Sequence, residues 1–125
     1  MTDREMLILA AKAGRVYIVP CTCSDPRFPF KFDPAVYKNE PGYTGHWNPL
    51  EHGAQALELA SHTETCIEFG SCQESAPIVT CWPASEPEYK TSRGNFPDSR
   101  VATRRTIVES VAAAQLRYIE ICGDD

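Results

Sequence analysis

The chain has 125 residues, 42% of them hydrophobic, and a formal net charge of −5. That length suits a single domain, residues 1–125, with enough interior for a core without crosslinks. No apolar run is long enough to span a bilayer, and an acidic balance disfavours a nucleic-acid surface, which needs clustered Lys and Arg. The same balance is compatible with docking on a basic protein partner.

The first segment, Met1-Thr2-Asp3-Arg4-Glu5-Met6, places no basic stretch ahead of an apolar one, so no signal peptide is expected and the chain reads as cytoplasmic. Thr2 followed by Glu5 is instead a capping box. The helix it opens presents Met6, Leu9, Ala10 and Ala13 on one side and ends at Gly14. Val16-Tyr17-Ile18-Val19 is β-rich and stops at Pro20. From 20 to 46, prolines 20, 26, 29, 34 and 41 interrupt every element, although Phe30-Lys31-Phe32 alternates as a short strand would. Phe28, Tyr37 and Tyr43 make this stretch too apolar for a solvated linker, so it is expected to pack over the sheet.

A second helix is expected to be capped by Asn48, with Pro49 at its first position and Glu51 in its first turn. Leu50, Ala54, Leu57 and Ala60 or Ser61 recur at helical spacing and predict the buried face. Cys66 to Phe69 reads as a strand with Ile67 and Phe69 inward, closed by Gly70. Ile78 to Trp82 reads as another, ended by Pro83, with a hairpin-like connection between them. Residues 83–98 read as a second long loop. A final helix from Ser99 to about Ile121 carries Val101, Val108, Val111, Ala112 and Ile119 as its apolar stripe. The order predicts an α/β (α+β) sandwich: a small, mostly antiparallel sheet covered by three helices.

Six cysteines are many for this length. In a reducing compartment they are expected as free thiols, several of them in the core. The alternative is a zinc site. Cys21-x-Cys23 in an extended segment would point both thiols to one face, and Cys66 and Cys72 would complete four soft ligands. Cys81, His46, His52 and His62 are further donors, but the chain lacks the paired C-x2-C knuckles of a zinc finger.

Glu58 and His62 are four apart on one helix, and Cys66 follows shortly after. No local signature surrounds that cysteine, so no catalytic residue is assigned and an enzyme is not expected. Arg104 and Arg105 open the last helix, where cations oppose the helix dipole. Two uses account for them. One is an ion pair, with Asp98, Glu109 or a carboxylate elsewhere. The other is an anion grip, in which a nucleotide-like ligand stacks on Tyr43 or Trp47 while an arginine holds its phosphate.

Two segments carry a family resemblance. One is Trp47-Asn48-Pro49-Leu50 running into Ala54-Gln55-Ala56-Leu57-Glu58-Leu59-Ala60; the other is Ala102-Thr103-Arg104-Arg105-Thr106-Ile107-Val108. With the opening Thr2-Asp3-Arg4-Glu5 helix and the strand pair, they resemble the phage αβα-sandwich (ABA sandwich) proteins of tailed phages and prophages. The resemblance implies an accessory protein of the host cytoplasm that acts by binding, with a host protein of an antiviral defence system as one target. It implies no catalytic residues, and a homo-oligomer is compatible with it. The cysteines and the Pro-rich stretch lie outside the family's pattern, which marks the loops as the variable part. Sequestration of a nucleotide-like molecule and a zinc-stabilised interaction module are the two other functional expectations.

Overall fold

The computed structural model describes residues 1–38, 40–70, 78–94 and 98–123. In chain order the elements are α1 (Asp3–Gly14), β1 (Ile18–Pro20), β2 (Phe30–Phe32), α2 (Pro34–Tyr37), α3 (Gly53–His62), β3 (Thr65–Gly70), β4 (Ile78–Pro83), β5 (Thr91–Gly94) and α4 (Ser99–Cys122). Two antiparallel sheets form, one of β1-β2 and one ordered β3-β4-β5. The fold is therefore α+β with small antiparallel sheets, as expected, but with the strands divided between two sheets and a short fourth helix.

Helix α1 starts as its capping box predicts, the Glu5 amide donating to Thr2 Oγ1 at 3.1 Å. It ends at Gly14 as expected, but the glycine is not the left-handed cap. Gly14 is still helical, and the left-handed residue is Arg15, at φ 55°. Gly14 serves packing instead, because a Cβ there would stand 2.7 Å from a Leu59 methyl of α3.

Helix α4 is the centre of the molecule, packing against α1 and α3 and against all three strands of the larger sheet. Its interior face is Ala102, Thr106, Ile107, Val108, Ser110, Val111 and Ala112. Val101, expected inward, is exposed although Val108, seven residues on and on the same side of the helix, is buried, so the cover gives out in the first turn. Leu7, Val79, Ile107 and Val108 are fully buried, each such side chain contributing about 1.5–3 kcal/mol.

Helix α3 begins at Gly53 rather than just after Asn48. The stretch before it closes as a turn, with the Glu51 and His52 amides both donating to Asn48 O. This rotates the buried face to Ala56, Leu59 and Ala60, and leaves Leu57, with 60% of its surface exposed, facing solvent beside Ala54. Phe69 is likewise 67% exposed. It lies opposite the buried Val79, on the core side of the sheet, but on an edge strand beyond the helical cover. Within 83–98, expected to be a loop, β5 pairs along β4 from Cys81↔Thr91 to Ile78↔Gly94. The hairpin-like connection expected between β3 and β4 falls on residues 71–77, which lie outside the described residues. Among the described residues no helix is long and apolar enough to cross a membrane.

Candidate metal centre

The site grows from the β1-β2 hairpin. Phe30 and Phe32 alternate with Lys31, so both rings enter the core and the lysine stays on the outer face. Pairing runs Ile18↔Phe32, Val19↔Lys31 and Pro20↔Phe30, and the Cys21 amide extends it to Pro29 O at 2.9 Å. Pro20 is tolerated inside β1 because β1 is an edge strand. On the other side of β2, the segment 45–47 runs alongside, with Phe32 N donating to Gly45 O and Trp47 N to Phe30 O, each at 3.1 Å, and a bridge between Lys31 and His46. The hairpin thus brings a residue just after β1 next to one more than twenty positions later.

On the outer face meet Cys21, Cys23 and His46, whose ligand atoms all lie within 4.8 Å of one another. The two sulfurs are 3.1 Å apart, and the Cys23 amide points back at the Cys21 sulfur at 3.4 Å. The hydrogen bonds from Cys23, helped by the Lys31 charge, hold the Cys21 thiol below its usual range, while the same contact with Cys21 raises Cys23. Of the two, Cys21 is the readier to lose its proton. The His46 ring stacks on Phe28, centroids 4.4 Å apart at 12°. Its backbone is clamped from α3, where Gln55 donates to His46 O at 3.0 Å and accepts from Asn48 N at 2.7 Å. Asn48, 4% exposed, donates in turn to Arg27 O and accepts from Leu50 N, so the loop carrying the cysteines is tied to the core.

Only half of the expected ligand set belongs here. Cys66 lies in β3, opposite Trp82 and close enough to the buried Cys81 to act on it electrostatically, and is not part of the cluster. Cys72 lies outside the described residues. Of the three histidines it is His46 that joins; His52 precedes α3 without a capping hydrogen bond and His62 lies in its last turn. Cys21, Cys23, Cys66, Cys81 and Cys122 are free thiols, and Cys81 alone is buried, which pushes its pKa up to about 12.

The expected anion grip is not assembled. Arg104 donates from Nε to Leu50 O at 2.8 Å, and Arg105 pairs with Asp3 and, at 3.4 Å, with Glu109. Asp98 instead pairs with Arg100. Trp47 is 3% exposed and Tyr43 lines a different cavity from either arginine, so the four residues do not converge. That Tyr43 cavity also takes Glu58 and His62, but not Cys66. Gln55 was invisible to sequence reasoning, since its role depends on α3 crossing behind 46–48.

No family model matches the chain, nor does any curated protein or solved structure resemble it.

Proposed function

We propose that the chain is a small binding module whose Pro-rich loop is locked into its recognition shape by a zinc ion on Cys21, Cys23 and His46. The observation that carries this reading is the convergence of two sulfurs and an imidazole on one outer face of the hairpin. Thiolate and imidazole together are the donor chemistry zinc takes. In a tetrahedral site with Zn–S near 2.3 Å, two sulfurs stand about 3.8 Å apart. The pair at 3.1 Å therefore needs only a small opening. Three protein donors leave a fourth position for water or for a donor from the partner. Thr22, Cys23, Ser24, Pro26 and Arg27 are exposed around it, a loop surface on a rigid scaffold of the kind that recognition uses.

The partner we propose is a host protein, in the setting of a phage or prophage accessory protein. That part rests on the Trp47-Asn48-Pro49-Leu50 and Ala102-Thr103-Arg104-Arg105 segments. The test is elemental analysis with native mass spectrometry after equilibration with zinc, followed by capture from host lysate with the loaded protein. One zinc per chain is expected, lost in Cys21→Ser and in His46→Ala. A chain that stays metal-free at saturating zinc removes the metal from the proposal, and a loaded chain that captures nothing removes the partner.

A further inference from the structure

A second cavity, of about 220 Å³, opens between the end of α1, α2 and α3, and none of the three cluster residues lines it. It is smaller than the roughly 300–1,000 Å³ of drug-sized pockets. One wall is aromatic and already fixed. Tyr37 and Tyr43 stack in parallel, centroids 4.7 Å apart at 5°, and Phe32 meets both edge-on at 5.6 and 5.7 Å. Tyr37 Oη accepts from the Tyr17 amide at 3.1 Å, which holds that ring in place.

The same cavity is lined by one basic and one acidic residue, Arg15 and Glu58, which form no ion pair with each other. Glu58 accepts a long hydrogen bond of 3.5 Å from Tyr43 Oη and, among the described residues, meets no cation. Arg15 is held by its backbone in the left-handed cap of α1, its amide donating to Ala11 O and Lys12 O, and its guanidinium meets no carboxylate among the described residues. A lone anion in this space would face Glu58, and a lone cation would face Arg15. A molecule carrying both charges satisfies both walls, with its apolar body against the tyrosines.

We propose that this cavity binds a small zwitterion with an apolar body, of the α-amino-acid class, its ammonium at Glu58 and its carboxylate at Arg15. The negative charge of Glu58 favours the protonated Tyr43 hydroxyl, which donates its one proton to Glu58 and leaves its oxygen lone pairs for the ligand's ammonium. His62, one turn beyond Glu58 on α3, adds a hydrogen-bonding group at the rim.

Calorimetry with L-phenylalanine, phenethylamine and 3-phenylpropionate tests this, since the last two each keep one charge. L-phenylalanine is expected to bind at least about tenfold more tightly than either. Glu58→Gln should weaken L-phenylalanine and phenethylamine and spare 3-phenylpropionate, and Arg15→Gln should do the converse. Both positions are exposed, and an unchanged melting temperature confirms that each variant folds. Phenethylamine or 3-phenylpropionate matching L-phenylalanine overturns the zwitterion, and no heat from any of the three at millimolar concentration overturns the site.

Discussion

The molecule is held together in two different ways on its two sides. Around α4, stability comes from apolar side chains closed away from water, with Leu7, Val79, Ile107 and Val108 fully buried. Around the hairpin, Phe30, Phe32 and Trp47 reach into that same core, but the irregular loop carrying Cys21, Cys23 and His46 is held by individually placed hydrogen bonds: Gln55 to the 46–48 backbone, Asn48 to Arg27, Cys21 to Pro29. Non-directional burial tolerates small displacements; a set of directional bonds fixes position but contributes little each. The first side therefore carries much of the fold, and the second positions the Cys21, Cys23 and His46 side chains, which the proposed metal would brace.

The contrast is broken most strongly from the core. Ile107→Ala, at a fully buried position, should lower the free energy of unfolding by about 2–5 kcal/mol in urea titration, whereas Cys21→Ser in metal-free protein should change it by less than about 0.5 kcal/mol. A large loss from Cys21→Ser without metal would mean that the Cys21 loop, and not only the Phe30 and Phe32 rings, is part of the core. Gln55→Ala sharpens the comparison from the other side. It removes no metal ligand, yet it frees the His46 backbone and should weaken zinc about tenfold or more in chelator competition, as loss of an orienting group does. Unaltered affinity would show that the Phe28 stack alone orients the imidazole.

The smallest effect is one of pH. Arg27, through side-chain and backbone hydrogen bonds, holds the Asp25 carboxyl down to about 2 from its ordinary 3.8. Because the folded value is the lower one, the ordering this pair gives the loop is complete above the ordinary value and is lost as pH falls through about 2. NMR shifts of the Arg27 and Phe28 signals should follow that window, and Asp25→Asn should abolish the step. The exposure of the pair keeps its effect on global stability slight.

What the sequence disclosed follows the same division. The capping box at Thr2, the Phe30-Lys31-Phe32 alternation and the β4 run are local signals, and the structure realises each of them. Strand β5 had no such signal. Thr91-Ser92-Arg93-Gly94 lacks an apolar alternation, and is held as an edge by a Thr80–Ser92 hydroxyl contact of 2.9 Å and by the Arg93–Glu109 ion pair. Asp33-Pro34 did carry a helix-start signature, realised as α2 with the Ala35 amide on Asp33, but the surrounding prolines masked it. Leu57 and Phe69 were misplaced because helical or strand period assigns a face, while only the neighbouring elements decide how far cover extends. The site was half legible. C-x-C was visible as a pair, and His46 as one donor among several, but their meeting depends on β2 lying between β1 and residues 45–47, a nonlocal pairing.

One thiol gives the larger sheet a clock of its own. Cys81 sits on the central strand with no exposed surface and a pKa raised to about 12, so it neither meets nor attacks a reagent while α4 lies over the sheet. Cys21, Cys23, Cys66 and Cys122 are partly or fully open to solvent. Once those four are blocked and Cys72 is replaced by serine, the slow alkylation of Cys81 times how often the helix lifts away and the core is momentarily wet.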